Sequence, residues 1–193
     1  MPLLVWIKGI DFAFESETLM RKKSNILGSV LVLAEAIFGS GLSEIRDPFF
    51  DKASQANLYE IQAGKMAEKK GNAGVIKVGR EMVKVHTLAE SELHDLAKKQ
   101  GLEIASSPTA EQEQALTELN RLSGKTFDSA YMAGEFSHHK IMIDFFSEES
   151  KNGINPEART YAGKYLPKLQ MHLQWFEGHK TGMKITMDSV HKK

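Results

Sequence analysis

Helix start and stop signals divide residues 43–182 of this 193-residue chain into long segments. Asp47-Pro48 is typical of an N-cap followed by a proline at the first helical position, and Gly71 can end that helix. Helix-forming residues dominate between such signals, and long β-branched alternations are absent from the sequence. The pattern therefore predicts an all-α protein whose first helix covers residues 48–70.

Similar signals predict three further helices, of which the third is interrupted near Ser123-Gly124. Short loops join consecutive helices, so each helix is expected to run antiparallel to the one before it and to bury one apolar stripe. The sequence thus predicts an antiparallel four-helix bundle. The predicted ranges of these three helices are residues 73–100, 108–152 and 156–178.

Residues 20–42 have the order of a bacterial secretory signal. Three basic residues follow Met20, an apolar stretch covers residues 26–38, and small residues occupy positions 39–41. The apolar stretch is short for a bilayer span and is interrupted by Glu35, so cleavage is expected rather than a permanent membrane anchor. The pattern predicts export.

The regions around this signal complete the predicted domain organisation. Residues 1–19 fit no targeting pattern, and one interpretation is that translation starts at Met20. The alternative for residues 26–38 is an ordinary buried helix of a cytosolic protein. A single bundle is predicted over residues 43–182, followed by a flexible tail at residues 183–193.

Composition excludes several classes of function. The 25 basic and 25 acidic side chains cancel, so no overall field attracts nucleic acid, and no nucleic-acid partner is expected. The sequence has no cysteine, which excludes disulfides, thiol nucleophiles and thiolate zinc sites. Phosphate-loop, nucleophile-elbow and zinc-protease motifs are absent from the sequence. A metal site would therefore need His, Asp or Glu ligands.

Helical spacing predicts which polar side chains point into the bundle. His139 shares a face with Glu135, one turn earlier, whereas His138 is rotated from it by about 100°. Only one of these adjacent histidines can point fully inward, and the spacing favours His139. The corresponding inward side chains of the other helices are Glu60, His86 and His172.

Helix length predicts the height of these side chains, at about 1.5 Å per residue. Glu60 and His86 lie twelve and fourteen positions from the first interhelix turn, and His139 lies thirteen positions from the third turn. In an up-down-up-down bundle these three side chains should be level. His172, about sixteen positions into the last helix, is expected about one turn away.

A glutamate and three histidines at one height can bind a divalent transition metal ion such as Zn, Fe, Cu, Mn or Ni. Glu90, Glu135 and His138 are second-tier candidates, as further ligands or as partners of the ligands. The alternative is a purely structural or partner-binding bundle, in which each buried histidine bonds a carboxylate or Tyr131 and no metal binds. Catalysis is not predicted. A ferritin-like metal-dependent redox enzyme needs two Glu-x-x-His pairs, and only Glu135-x-x-His138 fits.

Four stretches of the sequence carry a resemblance to a known family. They are ANLYEIQAGKMAEKKG, REMVKVHTLAESEL, LNRLSGKTFDSAYM and YLPKLQMHLQW, in this order. They resemble the bacterial domain-of-unknown-function family 4142 over roughly residues 47–180. The resemblance implies a periplasmic or outer-membrane-associated protein with a ferritin-like bundle, but no activity. It also implies a glutamate at Glu60 and histidines at His86, His139 and His172.

The chain departs from the family pattern at Glu135, where an apolar or amide residue is usual. A buried carboxylate without a partner would be costly or protonated. We therefore expect Glu135 to meet a cation or a histidine.

Overall fold

The computed structural model describes residues 46–180, which are all-helical, with no strand in that range. The all-α prediction is confirmed. The predicted extension (1–19), signal peptide (20–42) and tail (183–193) lie outside the described residues. The helices are α1 (Pro48–Lys70), α2 (Ala73–Gln100), α3 (Ala110–Arg121), α4 (Gly124–Asn152) and α5 (Pro156–Lys180).

Capping residues set the ends of α1 and α2. Asp47 accepts a hydrogen bond of 2.9 Å from the backbone N–H of the second residue of α1. Asn72 caps α2 by accepting from two backbone N–H groups of its first turn. Gly101 ends α2 with φ of 66°, in the left-handed region that favours glycine.

The third predicted helix is observed as two, α3 and α4, with the break at the predicted Ser123-Gly124. However, α3 begins two residues later than the sequence pattern predicted. The reason is a capping box between Thr109 and Gln112, in which each side chain accepts from the backbone N–H of the other residue. These two bonds stabilise a helix start at this point.

The long helices pack side by side around two buried apolar clusters. α1 packs on α2, α4 packs on α5, α1 contacts α4, α2 contacts α5, and α3 lies against α1 and α4. The first cluster includes Phe50, Leu93 and Phe146, and the second includes Phe127 and Phe176. None of the helices within residues 46–180 has the length and apolar character needed to cross a bilayer.

A glycine pair sets the close approach of α1 and α2. A Cβ atom on Gly79 would lie 2.7 Å from Cβ of Ala67 and 2.7 Å from the carbonyl oxygen of Gly64. Neither atom can move away by side-chain rotation, because the carbonyl oxygen belongs to the backbone and the Cβ atom is bonded directly to it. The small residues therefore allow α1 to approach α2 closely enough for side chains of the two helices to hydrogen-bond.

We predict opposite effects for two glycine-to-alanine changes. Gly79→Ala should lower the free energy of unfolding by about 1–3 kcal/mol, because the added methyl group overpacks the α1–α2 contact. Gly163→Ala, exposed on α5 with open space around its Cβ, should raise it by about 0.5–1 kcal/mol. Urea unfolding followed by circular dichroism measures both values. Equal effects of the two substitutions would contradict the close packing.

Candidate metal centre

A layer of buried polar side chains separates the two apolar clusters. In α5, His172 lies between Leu169 of the first cluster and Trp175 of the second. The same order recurs along the other long helices, where the polar residue of each lies between members of the two clusters. All four predicted residues are in this layer. Its members are Asn57, Glu60, His86, Glu135, His139 and His172, each at most 5% exposed.

Three histidines of the layer converge on one point. One ligand nitrogen from each of His86, His139 and His172 lies within 4.8 Å of the others. Nε2 of His139 is 3.2 Å from Nδ1 of His172, and the ring of His86 is 5.9 Å from each of their rings, centroid to centroid. Tetrahedral ligands with bonds of about 2.0–2.1 Å lie about 3.3 Å apart. The facing nitrogens of His139 and His172 already have this spacing. Binding of an ion would require the ring of His86 to move closer to them.

Asn57 determines the tautomer of His86. Its Nδ2 donates hydrogen bonds of 3.2 Å to Oε2 of Glu90 and 3.2 Å to the hydroxyl of Tyr161. Its Oδ1 therefore faces Nδ1 of His86, at 3.0 Å. Because an amide oxygen only accepts hydrogen bonds, Nδ1 carries the proton. Nε2 of His86 is left with a lone pair, and this buried atom has no hydrogen-bond partner among residues 46–180.

The backbone of α4 determines the tautomer of His139 in the same way. Nδ1 of His139 donates to the carbonyl oxygen of Glu135, at 3.0 Å. Nε2 therefore carries the lone pair of this ring, and in the metal-free chain it accepts a hydrogen bond from Nδ1 of His172. For His172 to bind a metal ion through Nδ1, its proton would have to move to Nε2 of the same ring. The chain thus presents Nε2 of both His86 and His139 as potential ligand atoms.

Burial keeps these rings neutral. Desolvation lowers the pKa of His86 and His139 well below the ordinary value, and the neighbouring imidazoles lower both further. The neutral imidazole is the form that binds a metal ion. Proton competition at this group is therefore weak at neutral pH.

A second group lies on the opposite side of the His139 ring. Oε1 of Glu60 is 2.5 Å from Nδ1 of His138 and 3.6 Å from Nδ1 of His139. Oε2 of Glu135 is 3.8 Å from the same nitrogen of His139. Glu60, His138 and His139 likewise each offer one ligand-type atom within 4.8 Å of the others. The four predicted residues are thus divided between two groups that share His139, instead of forming a single pocket.

The structure gives His138 a position that helical spacing left open. His139 is the fully buried member of the pair, as expected, but His138 also turns inward and keeps only 17% of its side chain exposed. Its ring lies 4.8 Å from that of Tyr59, centroid to centroid. The rotation of about 100° along α4 directs His138 toward α1 and Glu60.

Glu90 belongs to neither group. It accepts hydrogen bonds from Asn57 and from the hydroxyl of Ser54, and it acts on His86 only through Asn57. Burial raises the pKa of Glu90, while these two hydrogen bonds lower it. The sequence analysis missed Asn57 and Ser54. The available signal was spacing, because Asn57 lies three residues before Glu60 on the same face of α1.

The two buried carboxyl groups are difficult to ionise. Burial raises the pKa of Glu60 to about 7. Burial and repulsion from Glu60 raise the pKa of Glu135 well above its ordinary range. Within residues 46–180, the basic side chains that lie within 4.0 Å of these two carboxyl groups are histidines alone. Glu135 therefore meets a histidine, which is one of the two partners expected for it.

We predict that Glu60→Gln changes the pH dependence of stability in metal-free buffer. A carboxyl with a raised pKa stabilises the fold below its unfolded pKa of 4.5, and this contribution is lost as pH rises to about 7. The glutamine variant should therefore gain stability relative to the parent across this window, by at most about 3 kcal/mol. Chemical denaturation at several pH values in chelator measures the gain. Glu113→Gln, exposed on α3, is the matched control, and parallel curves for Glu60→Gln and the parent would contradict the raised pKa.

Comparison with known proteins adds one match. The model of a family described as a domain of unknown function (DUF4142) matches residues 37–178, which is more than half of the chain. No curated protein and no solved structure matches. The matched region contains both groups of ligand-type residues. The chain therefore belongs to the DUF4142 family.

Proposed function

We propose that this chain is an exported helical-bundle protein of the bacterial envelope that binds a divalent transition metal ion in its core. The observation that carries the proposal is the convergence of His86, His139 and His172, three buried imidazoles with ligand nitrogens within 4.8 Å of one another. Neutral imidazoles without thiolates suit Zn, Cu, Ni or Fe. Three protein ligands leave one coordination position for water or another small ligand.

The unpaired nitrogen of His86 favours a metal role over a purely structural one. A buried polar atom without a partner costs about 1–3 kcal/mol. Nε2 of His86 is such an atom, whereas Nδ1 of the same ring is bonded to Asn57. A histidine that served only to fix helix register would be expected to use both nitrogens. A metal ion would satisfy the second one.

Residues around the triad support this role. The bonds from Glu90 through Asn57 orient His86 and hold its proton on Nδ1, as partners of metal-binding histidines commonly do. A crevice of about 10 Å³, lined in part by His86, Tyr165 and Lys168, is large enough for one water molecule. A bound ion would supply a Lewis acid at this position.

A purely structural bundle is the second candidate. It is favoured by the hydrogen bonds that already join His139 to His172 and His86 to Asn57. In that case the histidines define the packing of the helices, and metal ions leave stability unchanged. The two candidates differ in whether a transition metal ion binds the folded chain and thereby raises its stability.

The location and topology in this proposal rest on the sequence. The order of basic, apolar and small residues over 20–42 supports export to the periplasm or to the outer membrane. The resemblance to the family supports a ferritin-like, antiparallel four-helix form of the bundle. The two-residue connection between α1 and α2 is compatible with that form.

We predict that the full chain, stripped with chelator and reloaded with Zn²⁺, binds the ion through the triad. His86→Ala should weaken Zn²⁺ binding by more than about 100-fold, because it removes a ligand and not only a partner of one. Zn²⁺ at about 100 times its dissociation constant should stabilise the parent by about 2.7 kcal/mol. Calorimetric titration and thermal unfolding measure these effects. His94→Ala, exposed on α2, is the control.

Three outcomes would redirect this proposal. Zn²⁺ binding that is equal in His86→Ala and His94→Ala would remove the triad as the site. A melting temperature that no transition metal ion changes would favour the structural bundle. Oxygen consumption on addition of ferrous iron would instead favour a ferritin-like redox enzyme.

We predict that the protein isolated from the periplasmic or membrane fraction begins near residue 42. N-terminal sequencing of the mature protein after cell fractionation measures this. The small residues Gly39, Ser40 and Gly41 place the expected cleavage close to that position. A cytosolic protein that begins at Met1 or Met20 would contradict export and support a buried helix over residues 26–38.

A further inference from the structure

We propose that Glu60, Glu135 and His138 form a second cation site, distinct from the histidine triad, that takes a divalent ion of the manganese or ferrous type. It goes beyond the proposed function, because it concerns a different ligand set and a different ion chemistry. Two carboxylates and one imidazole favour such ions more than three imidazoles do. The two sites would lie on opposite sides of the His139 ring.

The geometry brings one oxygen and one nitrogen of this set together. Oε1 of Glu60 and Nδ1 of His138 are 2.5 Å apart, a hydrogen bond that uses one proton between the two groups. Adjacent ligands of an octahedral ion with bonds of about 2.1 Å are about 3 Å apart. The pair therefore needs to separate by only a few tenths of an ångström for an ion to replace that proton. His138 then carries its ring proton on Nε2, and the proton displaced from the Glu60–His138 bond passes to solvent together with any proton on Glu135.

Two further carboxyl oxygens without hydrogen-bond partners complete the proposed set of ligand atoms. Oε2 of Glu60 and Oε2 of Glu135 are buried and have no hydrogen-bond partner among the described residues. Both carboxyl groups approach Nδ1 of His139, at 3.6 and 3.8 Å. That nitrogen carries a proton, which it donates to the carbonyl oxygen of Glu135, so it is not a ligand. Its N–H group is the positive end of a dipole, and it faces the two carboxyl groups.

Charge balance selects a divalent ion. Glu60 and Glu135 have no lysine or arginine partner within residues 46–180. Two ionised carboxylates so close together in a buried site would repel each other strongly, and each would lose its hydration. An ion of charge +2 neutralises both. Without it, at least one carboxyl group has to keep a proton.

One ligand of this second site lies nearer to solvent than His139 and His172 do. His138 keeps 17% of its side chain exposed, whereas His139 and His172 are completely buried. The imidazole of His138 lies at the α1–α4 boundary beside Tyr59. Rotation of these two side chains would expose Glu60 without separating the helices. An ion could thus reach the carboxyl groups from the surface of the bundle.

Titration of the full chain with Mn²⁺ alone tests this proposal, with calorimetry for stoichiometry and electron paramagnetic resonance for the bound ion. The parent should bind Mn²⁺ at this site. Glu60→Gln, which keeps the size of the side chain, and His138→Ala, at the bundle surface, should each weaken binding by at least tenfold. Glu113→Gln and His94→Ala, both exposed, are the matched controls and should leave it unchanged.

The variant His86→Ala separates this proposal from the proposed function. It should lose Zn²⁺ binding at the triad and keep Mn²⁺ binding at the second site. If Zn²⁺ does not bind to the parent but Mn²⁺ binding is lost in Glu60→Gln, only the proposed function fails. The proposal of a second site is overturned if the parent does not bind Mn²⁺, or if Glu60→Gln and His138→Ala bind it as strongly as the parent. Circular dichroism of each variant establishes that it is folded, and Glu135→Gln replaces any variant that is not.

Discussion

The structure depends on keeping a buried polar layer nearly neutral. Glu60, His86, Glu135, His139 and His172 lie between two apolar clusters, where an isolated charge would be very costly. The layer meets this constraint with uncharged imidazoles, raised carboxyl pKa values and short hydrogen bonds. Such a layer weakens the apolar core locally. What it provides in return is a set of donor atoms held at fixed positions by four helices.

Much of this arrangement could be predicted from local sequence signals. The bounds of α1 and α2 follow from Asp47, Asn72 and Gly101, because caps act on the residues next to them. The inward direction of His86 and His139 follows from helical spacing, which needs no knowledge of the neighbouring helix. The apolar clusters on both sides of the layer follow from the same periodicity.

Lateral relations between helices could not be predicted in this way. Whether His138 faces solvent or α1 depends on where the α1 backbone lies, and Glu60 is long enough to reach it only because that helix is near. The role of Asn57 likewise depends on the α1–α2 approach at Gly64 and Gly79. A single pocket was expected because the sequence predicts the height of each side chain along the bundle, but not its lateral position among the other helices. The rotation of each helix about its axis divides the residues into two groups.

The His139 ring connects those two groups electrostatically. Its Nδ1–H faces the carboxyl groups of Glu60 and Glu135, and its Nε2 faces His172. A negative charge near Nδ1–H makes Nε2 a better donor to a metal ion, as it does when a carboxylate supports a metal-binding histidine. A cation at the carboxyl groups would cancel that effect. Ionisation of Glu60 or Glu135 would therefore raise the donor strength of Nε2 of His139, through this one ring. This coupling would give a physical consequence to the carboxylate at position 135.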